Sequence, residues 1–116
     1  MLSNNLFANK VVIISGIGSG LGIELALGAA RQGAKLVIAA RTESKLDAAA
    51  EEIRLLPNGE NIDVVKVPTD ICDKRQCERL VARTIEKFGR VDGLINSAYN
   101  PGVMALAETA NMDAWR

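Results

Sequence analysis

The 116-residue chain is 48% hydrophobic and 24% charged, the profile of one globular domain spanning residues 1–116. Its 14 basic residues balance 14 acidic ones, so no charge excess points to nucleic acid or to an anionic membrane surface. It has no histidine, which excludes a Ser-His-Asp hydrolase, a papain-like Cys-His pair and a histidine-bound zinc within these residues.

The opening residues, MLSNNLFANK, lack a basic segment followed by a long apolar stretch, and no window reaches the roughly 18 uninterrupted apolar residues of a membrane span. A soluble, cytoplasmic protein is expected. The apolar run Val11 to Ile14 predicts a first strand, and the glycine-rich stretch SGIGSGLG at 15–22 follows it. Residues Gly22 to Gln32 have helical periodicity, with Gly33 placed as a C-terminal cap. A second strand is predicted over Leu36 to Ala40. A helix from near Thr42 then turns Leu46, Ala49, Ala50, Ile53 and Leu56 inward, before the turn Pro57-Asn58-Gly59. The third strand is predicted over Val64 to Val67. Cys72 and Cys77 form no disulfide framework or metal-ligand spacing, so reduced thiols and no metal are expected. Between Lys74 and Phe88 the clearest helix places Cys77, Leu80, Val81, Thr84, Ile85 and Phe88 on one face. Asp73 is its natural N-cap, Gln76 stands at the capping-box offset, and Gly89 closes it. A fourth strand is predicted over Val91 to Ile95, then a loop at Asn100-Pro101-Gly102 and the start of another helix around Asn111.

Strand and helix thus alternate, with strands 25 to 28 residues apart, and each crossover is long enough for parallel pairing. Apolar strands of this kind are expected to be buried on both faces. The fold class that follows is α/β, a doubly wound parallel sheet of about four strands with three crossover helices and the start of a fourth.

In such sheets ligands bind beyond the carboxyl ends of the strands, so the first strand-to-helix turn carries the chemistry. The fingerprint G-x-G-x-x-G fits neither register of SGIGSGLG, because Leu21 or Ile23 falls at the third glycine. The pattern G-x-x-x-G-x-G does fit, through Gly16, Gly20 and Gly22. Gly16 lets the chain leave the strand sharply, Gly20 lets backbone approach a pyrophosphate, and Gly22 lets helix and strand pack closely. The helix N-terminus adds free amides and partial positive charge for the phosphates. The competing reading is a glycine-rich turn with no ligand; a P-loop is excluded because no Gly-Lys-Ser/Thr follows.

At these residues the chain resembles the short-chain dehydrogenase/reductase family, whose cofactor loop is T-G-x-x-x-G-x-G, with Ser15 in place of the threonine. The resemblance runs through every later landmark of the family's N-terminal half and implies a Rossmann-type fold binding NAD(P). It places Ser15, Gly16, Ser19, Gly20, Leu21 and Gly22 around the cofactor. After the second strand, Ala40 stands where NAD-preferring enzymes place a carboxylate, and Arg41 follows. A guanidinium there can fork onto a 2′-phosphate, so NADP is expected over NAD; the alternative is a solvated charge at a helix start. Ser19 stands where some NADP-preferring relatives carry a second basic residue. In the family's pattern Asp70 accepts from the adenine amino group and Ile71 packs beside the ring, although a strand-end aspartate also serves as a turn cap. The family's Asn-Asn-Ala-Gly reads here Asn96-Ser97-Ala98-Tyr99, matching at Asn96 and Ala98.

The resemblance also implies a catalytic serine and a Tyr-x-x-x-Lys pair downstream, the tyrosine acting as general acid. Neither occurs here: Tyr99 is the only tyrosine and Val103 lies four residues on. Residues 111–116 resemble the start of the family's next long helix, so a truncated chain is expected. The expected function is that of an NADP-preferring oxidoreductase moving hydride between nicotinamide and a carbonyl or alcohol substrate, homo-oligomeric at full length and present here as its cofactor-binding half. A non-catalytic dinucleotide-binding or interaction module is the alternative, and an α/β domain without dinucleotide affinity a third reading.

Overall fold

The computed structural model describes residues 6–17 and 20–97. In chain order it has β1 (Val11–Ser15), α1 (Gly20–Arg31), β2 (Lys35–Ala40), α2 (Glu43–Arg54), a short 3-10 turn (Gly59–Asn61), β3 (Val64–Pro68), α3 (Lys74–Phe88) and β4 (Gly93–Asn96). All the strand pairs are parallel and the sheet order is β3-β2-β1-β4. The chain therefore steps outward from β1 to β3, then crosses back past β1 to place β4. That reversal puts a topological switch point between β1 and β4, where open α/β sheets bind ligands.

Period-two side-chain alternation divides the core. One face presents Val12, Ile14, Leu36, Ile38 and Ala40 to α1 and α2, which bury Ala26, Ala29, Ala30, Leu46, Ala49 and Ile53 against them. The other face presents Ile13, Val37, Ala39 and Val67 to Leu80 of α3. α1 contributes small residues to this layer and α2 the larger Leu46 and Ile53.

The helix ends follow the expected chemistry with one difference. Asp73 caps α3, its Oδ1 accepting from the amides of Arg75 at 2.9 Å and Gln76 at 3.3 Å. Gln76 does not return to the Asp73 amide as a capping box would; its Oε1 accepts from the Asp70 amide at 2.7 Å. The Asp73 amide is already bonded to the Asp70 carbonyl, which frees Gln76 to support the preceding loop. Gly33 and Gly89 close α1 and α3 with φ of 90° and 78°.

The apolar face expected for α3 is only partly used. Leu80 and Thr84 are buried and Cys77 and Phe88 half-buried, but Val81 and Ile85 remain 46% and 45% exposed. A four-stranded sheet covers just part of that face. Burial on both faces holds for β1 and β2, the central strands; β3 and β4 lie at the two edges and alternate with exposed residues. The Asn100-Pro101-Gly102 loop and the helix expected near Asn111 lie outside the described residues.

Candidate functional site

Register determines which residues meet. Ser15 pairs with Ala39 on one side and Asn96 on the other, and Ala40 pairs with Pro68. The four strands therefore end level, and the segments that leave them, beginning at Gly16, Arg41, Thr69 and Ser97, lie along one edge of the sheet. Main-chain bonds join them: the Ile17 amide donates to the Ala39 carbonyl at 3.3 Å and the Thr69 amide to the Ala40 carbonyl at 2.8 Å. The sequence-derived residues Ser15, Gly16, Arg41, Asp70 and Asn96 are thereby brought to one side of the molecule.

The first turn needs glycine for two different physical reasons. Gly16 has φ of 81°, a left-handed conformation that side chains resist. At Gly22 the limit is space: an added Cβ would stand 2.5 Å from the Gly16 carbonyl oxygen and 2.8 Å from Ser97 Oγ. Gly20 differs from both, since a Cβ there meets nothing within 4 Å among the described residues. Gly20 and Leu21 are exposed at the start of α1, where helix amides lack intrahelical acceptors. Ser19 lies outside the described residues.

Beyond β2, Ala40 is buried and Arg41 is exposed with no hydrogen bond or ion pair among the described residues. Asp47 of α2 accepts from Lys66 Nζ at 2.8 Å, a contact that raises the Lys66 pKa. Beyond β3, Thr69 is buried and its Oγ1 donates to the Val67 carbonyl at 2.9 Å. Asp70 uses Oδ1 to accept from the Cys72 amide at 2.9 Å, so the turn-cap role is real, and its own amide is held by Gln76. Cys77 Sγ donates to the Ile71 carbonyl at 3.4 Å. Burial and the neighbouring Asp73, Asp70 and Cys72 push that thiol's pKa up, which keeps its proton on sulfur as the donor role requires.

Beyond β4, Asn96 Oδ1 accepts from Ser15 Oγ at 2.9 Å and Ser97 Oγ donates to the Ser15 carbonyl at 2.7 Å. Ala98 and Tyr99 lie outside the described residues. Sequence reasoning missed the structural parts played by Gln76 and Ser97. The signal for Gln76 was its place six residues after Asp70, within reach of the loop across one turn of helix. Ser97 gave none, because its partners are carbonyls some eighty residues away.

Residues 10–116 match the family model described as short chain dehydrogenase. The chain belongs to the short chain dehydrogenase family. It is 40% identical over 109 residues to 11-beta-hydroxysteroid dehydrogenase A of Sesamum indicum, covering 94% of this chain and 30% of that protein. A crystal structure of L-sorbose reductase from Gluconobacter frateurii, complexed with NADPH and L-sorbose, superposes with a TM-score of 0.75 at 28% identity, over 85% of this chain and 36% of that one. A short chain dehydrogenase/reductase from Burkholderia phymatum in complex with NAD gives 0.69 at 33% identity, over 81% and 31%. The chain thus spans about a third of the length of these short chain dehydrogenases, and its sheet is the NAD(P)-binding fold of this oxidoreductase family.

No helix among the described residues is long and apolar enough to cross a membrane, and no group of three or more His, Cys, Asp or Glu among them is arranged to hold a metal.

Proposed function

We propose that this chain is the dinucleotide-binding part of an NADP-preferring oxidoreductase. The observation that carries the reading is the contrast between two glycines on the first turn of α1. The fold itself requires glycine at Gly22, where carbonyl and hydroxyl oxygens leave no room for a Cβ. Nothing described in the fold requires it at Gly20, whose open side faces outward at the helix N-terminus. A bare backbone there serves a group that arrives from solution, and a pyrophosphate suits the amides and the helix dipole.

Arg41 would hold the 2′-phosphate, with no acidic side chain at Ala40 to repel it and no ion pair to break first. Asp70 and Ile71 would hold the adenine: Asp70 Oδ1 caps its turn, and an ionised carboxylate has further acceptor sites for an amino group. Ser15, Gly16, Ser19, Leu21, Asn96 and Ala98 would complete the cofactor side of the sheet. When bound, the nicotinamide supplies or accepts the hydride. This chain's residues bind and orient the dinucleotide; the carbonyl or alcohol substrate, and assembly into a homo-oligomer, belong to the whole protein.

Isothermal calorimetry of the 116-residue chain tests the reading. NADPH should bind at least about tenfold more tightly than NADH, the difference one charge-assisted phosphate contact provides. Failure to bind either dinucleotide, or tighter binding of NADH, would reject it.

A further inference from the structure

We propose that Ser97 is a positioning residue for the pyrophosphate seat, setting how closely the first turn of α1 approaches the ends of β1 and β4; this rests on the dinucleotide reading above. Ser97 bonds twice to one oxygen. Its amide donates to the Ser15 carbonyl at 3.1 Å, continuing the β1–β4 ladder, and its hydroxyl donates to the same carbonyl at 2.7 Å. The Gly16 carbonyl lies 3.4 Å from that hydroxyl. The side chain is thereby turned back over the exit of β1 instead of out to solvent, and it is half-buried there.

Turned that way, its Oγ lies where a side chain on Gly22 would stand. A Cβ built on Gly22 stands 2.8 Å from Ser97 Oγ and 2.5 Å from the Gly16 oxygen, so hydroxyl and carbonyl together form the surface against which Gly22 rests. Gly22 is the third residue of α1. The turn it belongs to carries the amides that face a bound phosphate, and such sites lose function when their groups move by about 0.5 Å. Removing the hydroxyl leaves a gap beneath Gly22. A sulfur in its place needs a longer approach to the same carbonyls and drives the helix outward. Both changes disturb the phosphate amides and leave Arg41 and Asp70, on the far side of β1, where they were.

The test titrates the wild-type chain, Ser97→Ala and Ser97→Cys with NADPH, NADH and adenosine 2′-monophosphate by calorimetry. The monophosphate carries the adenine and the 2′-phosphate but no pyrophosphate. Both variants should weaken NADPH and NADH alike by about fivefold, the scale of one ordinary hydrogen bond, and hold the monophosphate within about twofold of wild type. The cysteine variant keeps a side-chain donor at this position and carries the same prediction should the alanine variant fail to fold. Unchanged dinucleotide affinity in a folded variant overturns the proposal while the dinucleotide reading stands. An equal loss for the monophosphate also overturns it, because a general structural role produces that. A wild-type chain that takes NADPH but not the monophosphate removes the split on which the proposal stands. A wild-type chain that binds no dinucleotide rejects the functional reading and the proposal together.

Discussion

Ser15 and Asn96, 81 positions apart in sequence, are bonded side chain to side chain, Oγ donating to Oδ1 at 2.9 Å on one rung of the β1–β4 pairing. The bond closes the switch point of the sheet at its carboxyl end. Ser15 is fully buried, so its hydroxyl has no access to water and Asn96 is its designated acceptor. Two strands that enclose the candidate cofactor edge are thereby held level by side chains as well as by their ladder.

Ser15→Ala should therefore cost about 1 kcal/mol, the usual net worth of such a bond, and should loosen β4 more than β2. Urea denaturation measures the first and amide hydrogen exchange the second. Unaltered stability with unaltered exchange at β4 would show that the ladder alone holds the edge.

Gly20 and Gly22 give opposite outcomes to the same substitution. Gly22→Ala places a methyl against the Gly16 carbonyl and Ser97 Oγ and should destabilise the fold by about 1–3 kcal/mol. Gly20→Ala meets open space and should leave stability unchanged or slightly raised, since alanine favours helix by up to about 1 kcal/mol. NADPH affinity should nonetheless fall in both. A Gly20→Ala variant that melts like wild type and binds NADPH like wild type would contradict the assignment of its open side to a ligand.

Much of this was legible in the sequence because the requirements are local. Gly16 answers to backbone conformation, and Gly22 in part to the Gly16 carbonyl six residues before it. Asp73 and Gly89 cap α3 by short-range chemistry. The parallel pairing of the strands rests on a general property of β-α alternation, and the family's landmarks at Arg41, Asp70 and Asn96 fall where that alternation ends its strands.

The rest depended on where separate segments meet. Helical periodicity identifies an apolar face on α3 but not how much of it a sheet covers, so the exposure of Val81 and Ile85 was not readable. Gln76 had two amides within reach, and only the prior bond between the Asp73 amide and the Asp70 carbonyl decided between them. Ser97 looked like a departure from a motif; its contacts with Ser15, Gly16 and Gly22 exist only once β1, β4 and α1 converge.

Arg41→Ala isolates the cofactor preference. Arg41 is exposed and has no partner among the described residues, so its loss should leave thermal stability within about 0.5 kcal/mol. NADPH should weaken about tenfold or more and NADH by less than about twofold, as expected when one charge-assisted contact to a 2′-phosphate is removed. Equal losses for the two dinucleotides, measured by calorimetry, would assign Arg41 to the solvated surface.

Asp92 makes acid sensitivity readable at the opposite end of the sheet. Its Oδ2 accepts from the Val11 amide at 2.8 Å, its own amide donates to the Val11 carbonyl, and its Oδ1 takes Arg90 Nη2 at 2.6 Å. The Arg90 hydrogen bond above all, then the Val11 amide, hold the carboxyl below the usual aspartate range. A carboxylate whose folded pKa is depressed stabilises the fold fully above its unfolded pKa, about 4 for aspartate, and loses that contribution as pH falls through the lower folded value. Asp92→Asn keeps an acceptor for the Val11 amide but no charge. The stability gap between wild type and Asp92→Asn should be flat above about pH 5 and narrow steadily below about pH 4. The other carboxylates titrate in both proteins and cancel in the difference. Denaturation curves collected across that range decide the matter: a gap that stays constant or widens toward acid would mean that the Asp92 charge adds nothing to the β1–β4 junction.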